Sequence, residues 1–257
     1  MGRAGSAVDS PQGQDVPLPG YGRLGGEVPV LYAPRLGEKA GEVRDYLEEG
    51  HRALAEILSV EPPGISAYLV ADEDWKDAPR ENARPYPPGL PYFTRSVEPP
   101  ALVLPEKFSP VIEPRTRATL PLTIWHELAH AFLLGREVVR TPAWLGEFVP
   151  QAASAAIAGR AGLSLEDHLS RIEGEPGFTV RGFGGPPAGA RDQMSFQNLL
   201  LLLGAAALEE FDDGFLKNLV HALWEEGDVV DEGRAEELLA DALGPGGREW
   251  LASRPEF

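Results

Sequence analysis

Apolar positions recur along this chain with two periods, and each period predicts a kind of element. From Pro34 to Leu58, the residues Val43, Leu47, His51, Leu54 and Leu58 fall three or four apart, the spacing of one helix face. A histidine on such a stripe is ordinarily a hydrogen-bonded core residue, with metal ligation the alternative. Val28–Tyr32, Ile65–Ala71 and Ala101–Leu104 are short apolar runs punctuated by proline or glycine, and they read as strands. Thr119 to Gly135 returns to the helical period through Leu120, Ile124, Leu128 and Ala131, with Thr119 as N-cap, Pro121 in the first turn and Gly135 as the stop. A second helix opens at Thr141-Pro142 and runs toward Gly159, with a kink or break expected at Pro150. Ser164–Ile172 reads as a short helix with Ser164 and Asp167 in capping-box positions. Gln193–Leu208 is apolar on nearly every side, which places it centrally. Helices around Phe215–Trp224 and Asp231–Leu243 complete the pattern.

The segments between these elements set the organisation. Residues 1–26 are rich in glycine, proline and serine and read as a flexible tail, leaving 27–257 as one domain. Within it, 27–135 is an α/β lobe ending in the Thr119 helix, and 136–257 is a helical lobe. Residues 72–100 hold seven prolines and read as one long irregular loop, either functional or a variable insertion. Residues 174–192 form a second loop; its Gly182-Phe183-Gly184-Gly185 lacks the lysine and helix entry of a phosphate-binding loop.

Composition narrows the chemistry. A net charge of -17, with no basic stripe, argues against nucleic acid and against an anionic membrane surface. The paired acidic residues, such as Glu48-Glu49 and Glu225-Glu226, read as solvated faces. The absence of cysteine removes disulfides, thiolate nucleophiles and cysteine-held metal. The longest apolar run, Leu199–Leu208, is too short for a bilayer, so the chain as written reads as soluble, with no integral membrane segment. That reading places it in the cytoplasm as written, or outside the cytoplasm if an export signal stands upstream of this sequence.

Within the Thr119 helix lies His126-Glu127-Leu128-Ala129-His130, an H-E-x-x-H motif. Histidines four apart project from one helix face, one turn above the other, where a single Zn²⁺ can take both. Glu127 can then reach a water at the metal without binding the metal itself. A third ligand must be His or carboxylate. Glu147 is the candidate, because a short connection between two helices packs them as neighbours and a buried carboxylate needs a partner. The alternatives for Glu147 are a cap of the turn or a solvated side chain.

His126–His130 followed by Pro142-Ala143-Trp144-Leu145-Gly146-Glu147 resembles the gluzincin metallopeptidases, specifically their peptidase-MA-like branch. The resemblance is most specific over residues 120–150 and looser, as an order of elements, over 28–257. It implies an α+β, thermolysin-like zincin architecture, with a mixed sheet in a small N-terminal α/β lobe, a mainly helical C-terminal lobe, and the zinc site in the cleft between them. It implies His126, His130 and Glu147 as zinc ligands, Glu127 as general base, and a peptide or protein as substrate. The strand at Ala101–Leu104 would be the sheet edge that holds an extended peptide. Three features depart from the family pattern. Phe148 and Pro150 follow the ligand glutamate where glycine is common, and the spacing from His130 to Glu147 is short. The third departure is the absence of any tyrosine after Tyr92, which leaves His168 and His221 as weak candidates to stabilise an oxyanion. The expectation is therefore a zinc-dependent metallopeptidase. The alternatives are a zinc-binding but weakly active or inactive binding module, and a metal-free helical protein.

Overall fold

Period-two alternation puts both faces of a sheet to use. The computed structural model describes residues 18–81, 88–109, 112, 116–134, 140–172, 178–183, 190–227 and 229–257. Its strands are β1 (Gly22–Leu24), β2 (Val30–Tyr32), β3 (Ser66–Val70), β4 (Tyr92–Thr94) and β5 (Ala101–Pro105), in spatial order β1-β2-β3-β5-β4. The central pairs β2–β3 and β3–β5 are parallel, and the outer strands β1 and β4 pair antiparallel. Ala67, Leu69, Leu102 and Leu104 face the main core shared with the helices. Tyr68, Val70, Ala101 and Val103 face a smaller cluster closed by Leu18, Trp75 and Tyr92. Burial on both faces explains why these strands read as unbroken apolar runs.

The helices are α1 (Gly37–Leu58), α2 (Thr119–Leu134), α3 (Ala143–Arg160), α4 (Glu166–Leu169), α5 (Ala190–Phe211), α6 (Gly214–Glu226), α7 (Glu232–Leu243) and α8 (Gly247–Ala252). The α1 stripe is buried as its spacing predicts, and His51 with it. His51 Nε2 lies 3.0 Å from the Pro63 carbonyl oxygen, so this histidine is a satisfied core residue. The mixed α/β class and the mixed sheet agree with expectation, and α3 packs against both α2 and α5 at the centre of the helical part. No helix among the described residues is long and apolar enough to cross a membrane.

Several expectations need correction. The expected tail over 1–26 includes β1, which pairs with β2, and Leu18, which is buried; a three-residue strand among glycines leaves little periodic signal. The expected irregular loop over 72–100 contains a 3₁₀ helix (Asp72–Asp77) and strand β4. Ala101–Leu104 lies in an inner strand, because β4 pairs on its outer side and is itself the sheet edge. α3 runs unbroken through Pro150, which is buried between neighbouring core residues; packing offsets the lost i→i−4 hydrogen bond. Its N-cap is Pro142 rather than Thr141. Helix α8 was not anticipated. Gly135 and most of the 174–192 loop lie outside the described residues.

Candidate metal centre

The phase of α2 is set by what it buries. Ile124, Trp125, Leu128, Ala131 and Phe132 all turn into the core. The Trp125 indole N–H donates to the Tyr46 carbonyl (2.9 Å), which ties α2 to α1. Gly50 of α1 permits that approach, since a Cβ there would lie 2.4 Å from Trp125 Cδ1. With those positions inward, Leu120, Thr123, Glu127 and His130 form a partly exposed stripe, with His126 beside it. The motif is turned outward because the apolar residues around it are turned inward.

α3 solves the same problem. Trp144, Leu145, Phe148 and Val149 are buried, so Glu147 emerges on the side facing α2. Phe148 occupies the core and packs against Phe215 at 6.2 Å between centroids. Its bulk is therefore directed away from Glu147, and the departure from glycine leaves the ligand side clear.

Three side chains then converge. The two histidine Nε2 atoms are 3.2 Å apart, and Glu147 Oε2 lies 3.3 Å from His126 Nε2 and 3.6 Å from His130 Nε2. A tetrahedral ion with bonds of about 2.05 Å needs ligand atoms about 3.3 Å apart. A point equidistant from the three atoms in their own plane lies about 2.0 Å from each, so a metal rests just off that plane without rearrangement. Two imidazoles and one carboxylate are a donor set that several first-row divalent cations accept, and three ligands leave a fourth position open on a tetrahedral ion. The group His126, His130 and Glu147 could therefore hold a metal ion. Their side chains are 12%, 20% and 30% exposed.

The protonation pattern follows from the same contacts. Burial would raise the Glu147 pKa, but hydrogen bonds and charge from His126 and His130 outweigh it and hold the carboxyl well below its usual range. Burial would lower that of His130, but its bond to Glu147 and the charges of Glu147 and Glu127 reverse this and raise it. Glu127 is pushed up, chiefly by burial and further by the Glu147 charge, against the pull of the histidines.

The expected oxyanion candidates are elsewhere. His168 is buried, with Nδ1 2.9 Å from Thr116 Oγ1 at the start of α2. His221 Nε2 contacts the Leu58 carbonyl oxygen (2.9 Å) at the end of α1. In the segment Asp192–Gln197, Phe196 is stacked on Phe183 in the core (4.2 Å between centroids). Gln197, its neighbour, turns to the site: its Nε2 donates to Glu147 Oε2 at 2.9 Å. Gln197 Oε1 accepts from Gln151 Nε2 at 2.6 Å. Neither glutamine was anticipated. Only the i,i+4 placement of Glu147 and Gln151 on one helix face offered a signal.

A cavity of about 700 Å³ opens at the N-terminal end of α2, lined in part by Trp75, Phe108, Ile112 and Leu120, with the Asp72–Lys107 ion pair (2.9 Å) alongside. It does not include the three ligand residues. Leu120 and Glu127 are seven residues apart on the exposed stripe, about 10 Å along one face. No family model matches this chain, and no curated protein matches it.

Proposed function

We propose that this chain is a zinc-dependent metallopeptidase of gluzincin type, with a thermolysin-like arrangement of an α/β lobe and a helical lobe around the metal centre. The observation that carries the reading is the convergence of His126, His130 and Glu147 at tetrahedral spacing, with Glu127 on the same exposed stripe of α2. A Zn²⁺ held there supplies Lewis acidity to a peptide carbonyl and brings the pKa of a water close to neutral. Glu127 takes the proton from the attacking water and delivers it to the departing amine, so that water is divided between the two products of amide cleavage.

β4, last in the strand order and lying against α2, forms the sheet edge nearest the metal helix, and an extended peptide is proposed to run alongside it. The apolar cavity along the α2 stripe would then take a bulky apolar side chain about three residues from the cleaved bond, given about 3.3 Å per extended residue.

The second reading is a zinc-binding module with weak or no hydrolysis. It is favoured by one observation: among the described residues, neither His168 nor His221 approaches the triad. Loss of an oxyanion donor ordinarily costs about 10²–10³ in rate. One experiment separates the readings. Protein purified without added metal carries about one zinc per chain and cleaves members of a diverse peptide library, and Glu127→Gln keeps the zinc while cleavage falls at least about 10²-fold. Zinc without cleavage in the wild type selects the binding module. A metal-free wild type that takes up no zinc overturns both readings.

A further inference from the structure

We infer that Gln197, held by Gln151, is the positioning residue that sets Glu147 as a metal ligand; this rests on the metal reading above. An imidazole ligand is normally oriented by an acceptor on its far ring nitrogen. Among the described residues, His126 Nδ1 is buried without any hydrogen-bond partner, so that support is missing at His126. The support lies on the carboxylate side instead. Glu147 Oε2, the oxygen that faces both histidines, accepts from Gln197 Nε2 at 2.9 Å.

The direction of that bond is fixed. A primary amide has an oxygen that only accepts and a nitrogen that only donates. Gln151 Nε2 donates to Gln197 Oε1 (2.6 Å), which turns Gln197 Nε2 toward the carboxylate. The reversed amide would place its oxygen against the carboxylate oxygen and its nitrogen against another NH₂, losing both bonds. Gln151 stands one turn beyond Glu147 on α3, and Gln197 reaches across from α5, so the chain of bonds closes between two packed helices. Phe196, buried and stacked on Phe183, anchors α5 in the rotation that presents Gln197. The amide adds a donor without adding charge. It keeps Oε2 aimed at the metal position and leaves the ion's charge balance to the carboxylate alone.

The test compares Gln197→Leu, Gln197→Met and Gln151→Leu with the wild type by competition of zinc with a chromophoric chelator, alongside the thermal midpoint of each metal-free protein. Outer partners of metal ligands ordinarily contribute 10–100-fold in affinity. Gln197→Leu weakens zinc binding by about that factor. Gln151→Leu weakens it less, and the double variant is no weaker than Gln197→Leu alone, because Gln151 acts through Gln197. Gln197→Met keeps the length of the side chain without the donor and weakens binding as much as Gln197→Leu. A zinc affinity within about twofold of wild type in Gln197→Leu overturns this inference and leaves the metal site standing. A Gln197→Met that binds zinc like the wild type while Gln197→Leu does not also overturns it, in favour of a packing role. A wild type that binds no zinc overturns the metal reading and this inference together.

Discussion

Zinc held as proposed by His126, His130 and Glu147 adds its binding free energy to the stability of the folded state, and Glu147→Gln measures the carboxylate's part in it. The three ligand atoms stand 3.2–3.6 Å apart, close to the spacing that a tetrahedral ion needs. With free zinc at about a thousand times its dissociation constant, the folded state gains about 4 kcal/mol. For a domain of this size, one kcal/mol moves the thermal midpoint by about 2–4 °C, so saturating zinc raises it by about 8–16 °C. Glutamine keeps the shape of Glu147 and removes its charge. A direct ligand contributes more than the 10–100-fold of an outer partner, so the variant loses at least about 100-fold in affinity. That is about 2.7 kcal/mol, and at the same zinc concentration the shift shrinks by about 5–11 °C. The assay is differential scanning calorimetry of wild type and Glu147→Gln, each with and without zinc, so that any change in the metal-free protein is subtracted. A variant with the full wild-type shift would show that Glu147 is not a ligand. A wild type with no shift would remove the metal centre.

Other expectations follow from the same geometry. Because His130 is held above its ordinary pKa of 6.5, a proton must leave it before the metal binds; zinc affinity therefore falls as pH drops through that raised value, and calorimetry in buffers of different ionisation enthalpy should register proton release. In the metal-free protein the sign runs the other way for stability: the His130 contribution is complete below 6.5 and is lost as pH rises through the raised value. The Glu147 contribution is complete above 4.5 and is lost as pH falls toward its depressed value. Urea midpoints of the metal-free protein should therefore be highest between those limits, and a midpoint that rises steadily from pH 6 to 8 would contradict the pairing. Gly50→Ala drives a methyl into Trp125, costs about 1–3 kcal/mol by overpacking, and moves α2. Urea unfolding and zinc affinity should fall together in that variant; unchanged values in both would refute the close contact.

The helices were legible where one apolar stripe repeated over several turns, as in α1 and α2, because many residues then report one phase. Glu147 was legible because a short connection makes α2 and α3 neighbours. β1 and β4 were not: each is three residues long, among glycines or prolines, and is held by pairing to a partner strand rather than by its own pattern. The position of Ala101–Pro105 inside the sheet depended on β4 and was lost with it. Pro150 misled because its local penalty is readable whereas the surrounding packing is not. Gln197 had no signal of its own, since an uncharged amide 50 residues from its partner carries no spacing rule.

Gly204 lies two turns beyond Gln197 on α5, and a Cβ there would sit 2.9 Å from the Ala152 Cα of α3. The two helices therefore touch almost backbone to backbone, next to the residue that follows Gln151. That contact acts as a mechanical stop whose thickness sets the reach of the amide across the gap. Even a single added methyl at Gly204 would wedge the helices apart. The reach of the amide thus depends on a glycine whose nearest neighbours all belong to Ala152. Shortening Ala152 to glycine would not make room for a side chain at 204, because the closest atom is the backbone Cα that every residue carries.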